Sequence, residues 1–189
     1  MNKSVLVTGG GGYIGSTLVR HLLVKGFKVN VIDNCSMGSD GIMSFLGYPN
    51  YKFIKGDIRD KSNVEEAMIG VNHVVHLAAI VGEPACRSFP EDAKTINNDG
   101  TKIIFEEACK QKVERFIFFS TCSSYGVQDT SVMANENTEL NPVSLYAETK
   151  IGMENYIKEN IGLFIILGIT SITVFNSIVY YSLYFTQVI

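Results

Sequence analysis

Several patterns that would assign a chain at once are missing from this one. Cys35, Cys86, Cys109 and Cys122 contain no Cys-x-x-Cys pair, so neither a zinc site nor a disulfide framework is encoded, and a reducing, cytoplasmic setting is expected. No stretch of lysine and arginine is dense enough to follow a phosphate backbone, and the formal net charge is −3. Nucleic acid is therefore not an expected partner. His73 and His76 have no companions at metal-ligand spacing and read as structural, so no metal is expected. The first strand pattern begins near residue 3, leaving no room for a secretory signal. Charge disappears altogether from Ile161 to Ile189.

What is present begins with Ser4-Val5-Leu6-Val7-Thr8, an apolar run broken by Gly9, Gly10, Gly11, Gly12 and Gly15 and followed by a helical pattern. Strand, tight turn and helix N-terminus in that order make a place to hold a phosphate. Glycines let the main chain approach an anion closely, and the unpaired N–H groups of the helix attract its charge. Two registers fit: Gly10, Gly12 and Gly15 match G-x-G-x-x-G, and Thr8, Gly9, Gly12 and Gly15 match T-G-x-x-G-x-x-G. The second is preferred because of the tyrosine motif described below. A P-loop is excluded, since Ser16 and Thr17 follow Gly15 where a lysine would be needed. A glycine-rich hairpin turn is the plain alternative.

The 189 residues are 46% hydrophobic, enough for one substantial core. Ile14, Leu18, Leu22 and Leu23 form a stripe at helical spacing that ends before Gly26. Residues 27–33 then read as a second strand closing on Asp33, near the ~20-residue distance at which a carboxylate meets an adenosine ribose. A carboxylate there repels a 2′-phosphate and so favours NAD over NADP. Residues 34–50 read as an irregular connection. Tyr51–Lys55 is a third strand, Val64, Ala67 and Met68 mark a short helix, and residues 71–79 form a fourth strand. A helix is expected from Pro90 to about Lys112, with Ile103, Ile104, Ala108 and Val113 inward and close packing at Gly100. Residues 115–120 make a fifth strand. Strands alternating with helices in this way indicate a doubly wound, parallel α/β (Rossmann) sheet.

Thr121 leaves the carboxyl end of the fifth strand, where open α/β sheets bind ligands. Further on, Tyr146-Ala147-Glu148-Thr149-Lys150 places a phenol and an ammonium four residues apart on one helix face. A neighbouring cation stabilises a phenolate, so the pair can act as a general base toward a hydroxyl. Cys122 has no histidine near it in sequence and is not read as a nucleophile. Thr8-Gly9-x-x-Gly12-x-x-Gly15, Asp33, Gly56-Asp57, His76-Leu77-Ala78-Ala79, Asn97, Thr121 and Tyr146-x-x-x-Lys150 together resemble the extended short-chain dehydrogenase/reductases. The resemblance is to their NAD-dependent sugar-nucleotide epimerase/dehydratase branch and runs from residue 3 to about 158.

That resemblance implies NAD as cofactor and a nucleotide-sugar as substrate. It implies Gly9, Gly12, Tyr13, Ile14 and Gly15 at the pyrophosphate, Asp33 and Asn34 at the adenosine ribose, and Asp57 and Ile58 at the adenine. Leu77, Ala78 and Ala79 would lie along the cofactor, and Asn97 would support its nicotinamide end. Tyr146 is implied as the base, Lys150 as the group that binds the nicotinamide ribose and tunes the tyrosine, and Thr121 as the hydroxyl that orients the substrate. The 4,6-dehydratases of the branch carry Asp-Glu after the threonine, whereas Cys122-Ser123 stand here. Epimerisation through transient oxidation of a ring hydroxyl, or simple oxidoreduction, is expected instead of elimination. The resemblance also implies a homodimer built on the helices that carry Asn97 and Tyr146.

Family members continue past the lysine with further strands and a smaller substrate domain, whereas this sequence ends at Ile189. Residues 1–160 are read as the NAD-binding domain and 161–189 as a divergent apolar tail. A truncated or frame-shifted product, a membrane helix and a sixth buried strand are the three readings of that tail. They leave three outcomes open: a competent epimerase or dehydrogenase/reductase, an inactive NAD-binding fragment, or a membrane-anchored or misassembled product.

Overall fold

The computed structural model describes residues 3–126, 134, 135 and 137–160; the tail of residues 161–189 lies outside them. Five strands, β1 (Ser4–Thr8), β2 (Lys28–Asp33), β3 (Tyr51–Lys55), β4 (His73–His76) and β5 (Arg115–Phe118), form one sheet in the order β3-β2-β1-β4-β5. All four pairings are parallel. The expected doubly wound sheet is present.

Alternate residues of each strand enter different cores. Leu6, Ile32, Val74, Phe116 and Phe118 point to one face, where α3 (Lys61–Met68), α6 (Thr101–Lys110) and α7 (Leu145–Asn160) cover them with Val64, Met68, Ile104, Phe105, Met153 and Ile157. Val5, Val7, Val29, Val31 and Val75 point to the other face, under Val19 and Leu23 of α1 (Tyr13–Val24). Burial on both faces explains why the strands read as continuous apolar runs. Asn30 is tolerated among them because its side-chain amide donates to the Ala67 carbonyl at 2.9 Å.

Several expected boundaries shift for identifiable reasons. The buried line of α1 is Gly15, Val19 and Leu23, so Ile14, Leu18 and Leu22 flank the contact instead of forming its centre. Within the connection expected to be irregular, α2 (Asp40–Met43) docks through Ile42 alone; a single buried residue leaves no periodicity to read. The same holds for α4 (Glu83–Ser88), where only Cys86 is buried. β4 is shorter than 71–79, because after His76 the backbone N–H groups of Leu77 and Ala78 turn onto the Thr8 hydroxyl. β5 likewise stops at Phe118.

The helix expected from Pro90 is composite. α5 (Pro90–Lys94) runs into a wide π-helical turn, Thr95–Gly100, before α6 begins. Close packing at Gly100 is present: a methyl there would stand 2.6 Å from Ile58 Cδ1. Among the described residues, no helix is long and apolar enough to cross a membrane.

Candidate functional site

The chain order of the predicted site residues is not their order in space. Five sets of them lie at the carboxyl ends of five different strands, so the sheet order sets Asp57, Asp33, Gly9, Leu77–Ala79 and Thr121 side by side along one edge. Four inter-strand spacings make that edge roughly 19 Å long. The strand order reverses between β1 and β4, the place where such sheets open a ligand crevice.

The glycine turn occupies that point. Gly9 has φ of 69°, and a side chain on it would meet the Ala78 backbone nitrogen at 2.8 Å. A side chain on Gly15 would collide with the Gly9 carbonyl, so the first helical turn lies directly on the loop. Gly12 is different: only the Gly9 oxygen, at 3.3 Å, is near its missing methyl. It is also the cap residue of α1, has no side chain to satisfy the first N–H groups, and is followed by no acidic residue in the first turn. Glycine cradle and uncapped helix end together fit a pyrophosphate. Tyr13 is 73% exposed and Ile14 half-buried beside it.

At the β2–β3 end, Asp33 accepts from the backbone of Gly11 at 2.9 Å through Oδ2 and from Cys35 at 2.8 Å through Oδ1. Its carboxylate therefore braces the glycine loop, and each oxygen keeps one lone pair for a ribose hydroxyl. Asp57 is held below the usual carboxylate range, chiefly by hydrogen bonding from Arg59, with a smaller contribution from the Asn34 side chain. Ile58 is buried, with its side chain against Gly100, so it can meet a ligand only through its main chain.

Asn97 is brought to the site, but its side chain does not face the cleft. Its Oδ1 accepts from Ile80 N at 2.8 Å, while Nδ2 donates to the Ile80 carbonyl at 3.0 Å and to Thr149 Oγ1 at 3.2 Å. The π-helical turn places this amide between the loop after β4 and helix α7. Asn97 thus ties the loop after β4 to helix α7, through Ile80 and Thr149. Ile80, Thr149 and Arg59 were not among the residues expected at the site. Arg59 and Thr149 lie within the Gly56-Asp57-Ile58-Arg59 and Tyr146–Lys150 stretches, whereas nothing local marks Ile80.

At the β5 end the Thr121 hydroxyl lies near the Tyr146 phenol and favours its ionised form. Thr121 also caps the short 3₁₀ turn Cys122–Tyr125, accepting from Ser123 N at 3.2 Å. Lys150 is buried; its Nζ donates to the Phe119 carbonyl at 3.0 Å and lies 4.8 Å from the Phe118 ring centre and 6.0 Å from that of Tyr146. Burial lowers its pKa to about 8. The phenol of Tyr146 moves the other way from the expectation: burial raises its pKa, against a smaller lowering from the Thr121 hydroxyl. The lysine is on the correct face yet spends its charge on a carbonyl and two rings instead of on the phenol oxygen. A phenol, a hydroxyl and a buried ammonium at the end of the sheet edge that also carries the glycine turn can exchange a proton with an alcohol and hold it in place. Among the described residues no cluster of metal-ligating side chains occurs.

Comparison with known proteins agrees with this arrangement. The family model described as "NAD dependent epimerase/dehydratase family" matches residues 5–176. UDP-glucose 4-epimerase of Rhizobium meliloti is 34% identical over 166 residues, which cover 84% of this chain and 47% of the relative. The crystal structure of the Thermus thermophilus UDP-glucose 4-epimerase in complex with NAD superposes with a TM-score of 0.75 at 32% identity, covering 82% of this chain and 50% of that one. DesIV, a dTDP-glucose 4,6-dehydratase from Streptomyces venezuelae with NAD and TYD bound, gives 0.77 at 29% identity, covering 85% and 53%. The chain spans about half the length of these relatives.

Proposed function

The chain belongs to the NAD-dependent epimerase/dehydratase family, and from that premise we propose that it binds NAD along the sheet edge and acts on a nucleotide-sugar in the manner of a UDP-glucose 4-epimerase. The observation that carries this reading is the placing of the Thr121 hydroxyl beside the Tyr146 phenol at the end of the edge that begins with Asp57 and passes the glycine turn. Bound NAD would supply the hydride acceptor that no side chain provides. Gly9, Gly12, Tyr13, Ile14 and Gly15 would hold its pyrophosphate, Asp33 and Asn34 its adenosine ribose, and Asp57 with the Ile58 main chain its adenine. Leu77, Ala78 and Ala79 would line its path.

Tyr146 would accept the proton of a sugar ring hydroxyl, and Thr121 would hold that oxygen in line. Lys150 would bind the neighbouring ribose. Because burial raises the phenol's pKa in this arrangement, Tyr146 needs added positive charge nearby to act as a base, and the ammonium of Lys150 is the protein's source of it. Cys122-Ser123 in place of Asp-Glu favours epimerisation or oxidoreduction over elimination.

The same proposal treats residues 1–160 as the cofactor-binding unit. It includes a homodimer formed across the groove between the helices that carry Asn97 and Tyr146. That groove has a volume of about 560 Å³, is lined by Asn98, Lys102, Asn155 and Tyr156, and is left open by Gly152, whose missing methyl would meet nothing within 4 Å. Free thiols at Cys35, Cys86, Cys109 and Cys122 support a reducing, cytoplasmic setting.

Thermal melting with NAD and with NADP, followed by assay of UDP-glucose/UDP-galactose interconversion, tests the reading. A rise in melting temperature with NAD exceeding that with NADP is expected. Stabilisation without turnover would leave an NAD-binding fragment, the second reading. No response to NAD would overturn both.

A further inference from the structure

Among the described residues, the densest set of charge-assisted hydrogen bonds on the surface surrounds Arg59. Its backbone N–H and its Nε both donate to Asp57 Oδ1, at 2.9 and 3.0 Å, and its Nη2 donates to Asp57 Oδ2 at 2.7 Å. The remaining nitrogen, Nη1, donates to Asp92 Oδ1 at 2.9 Å and to Thr95 Oγ1 at 3.0 Å. The planar guanidinium thus grips the carboxylate after β3 in a fork and fastens it to the start of the π-helical turn that contains Asn97. Few side chains other than arginine supply donors in that geometry.

A carboxylate offers about four acceptor positions. Arg59 fills three of those on Asp57, two on Oδ1 and one on Oδ2. The position on Oδ2 that Arg59 does not fill is the one through which a ligand amine would reach this carboxylate. Without Arg59, Asp57 and Asp92 would face each other with no cation between them.

We propose that Arg59 is a positioning residue for base selectivity: it holds Asp57 so that one acceptor position faces an exocyclic amine, and so makes the site prefer adenine to a purine with a carbonyl there. This rests on the NAD reading above and adds a residue and a selectivity to it. The network is half-exposed, with side-chain accessibilities of 37% for Arg59 and 56% for Asp92, and exposed ion pairs contribute little to folding. Variants at these positions therefore fold.

The test is calorimetric titration of the full chain and its variants with NAD and with nicotinamide hypoxanthine dinucleotide, whose ring bears an oxygen in place of the amine. Wild type should prefer NAD. Arg59→Gln should weaken NAD about tenfold, the scale of one hydrogen bond to a charged group, and leave the hypoxanthine analogue within about twofold, so that the preference collapses. Arg59→Lys should restore part of it, and Asp92→Asn should cost NAD a few-fold. Equal losses for both dinucleotides, or no loss for NAD, would overturn the proposal. So would a wild-type protein that binds both equally. Wild type binding neither would instead overturn the NAD reading, and this proposal with it.

Discussion

Thr8 Oγ1 lies 2.7 Å from His76 Nδ1, and the direction of the proton between them follows from counting donors. The hydroxyl already accepts from Leu77 N at 3.1 Å and Ala78 N at 3.0 Å, which fills its two lone pairs. Its own hydrogen must go to Nδ1, so His76 carries its proton on Nε2 and donates to Thr101 Oγ1 at 2.8 Å. This buried relay pins the loop after β4 against the glycine turn.

The relay predicts both a spectrum and an acid transition. Nitrogen NMR should show an unprotonated Nδ1 on His76; a protonated Nδ1 would show that the hydroxyl points elsewhere. Burial lowers the pKa of His76 to about 3, from 6.5. The folded chain then binds fewer protons than the unfolded chain between about pH 3 and 6.5, so this group's contribution to stability falls as pH falls through that window, by about 1.4 kcal/mol per unit. Thr8→Val should cost roughly 2–4 kcal/mol by stranding the histidine and the Ala78 N–H, and Thr8→Ser should cost much less. Denaturant melts of the three proteins provide the comparison.

Lys150 is expected to oppose stability. Its pKa, lowered to about 8 from 10.5 by burial, means that the folded chain binds fewer protons than the unfolded chain between those values. The penalty is complete below pH 8 and disappears as pH rises toward 10.5. The shift corresponds to roughly 3 kcal/mol, from which about 1 kcal/mol is subtracted for the hydrogen bond to Phe119. Lys150→Met should therefore raise the midpoint of unfolding at pH 7, with a smaller gain at pH 10, while reducing the response to NAD. A lower midpoint at both pH values would contradict this.

The glycines of the turn should separate into two classes. Gly15→Ala drives a methyl into the Gly9 carbonyl and to 2.8 Å from Gly10 Cα; backbone cannot yield cheaply, and a loss of about 3 kcal/mol or failure to fold is expected. Gly12→Ala meets only one atom, at 3.3 Å, and should cost under about 1 kcal/mol. It should nonetheless remove most of the thermal stabilisation by NAD, since the methyl faces the uncapped helix end. Equal stability losses in the two variants would refute the distinction.

Tyr146→Phe removes the phenol oxygen beside Thr121 and keeps the ring. If the phenol moves the proton, turnover should fall by about 10²–10⁴ while the NAD dissociation constant changes less than about threefold, because the ring is retained. Turnover surviving at a tenth of the original rate would assign the proton transfer to another group.

Much of the fold was legible in the sequence because its signals are local. The apolar runs of Val5–Val7 and Phe116–Phe118, the turn glycines and the four-residue step from Tyr146 to Lys150 depend on neighbours within a few positions. Helices α2 and α4 were not legible, since each buries one side chain. The direction of the Tyr146 shift was not legible either, because it depends on how deeply the phenol is buried and on which atom Lys150 reaches.

By itself, then, the order of residues determined the alternation of strands and helices and the chemical types available at each strand end. Only the folded chain decided that Asp57, Asp33, Gly9, Ala78 and Thr121 stand in that succession along one edge. Only folding joined Thr8 to His76, Asn97 to Thr149 and Arg59 to Asp92. Periodicity reports which side of an element is buried, whereas the partner of a buried polar group is set by packing between elements far apart in the chain.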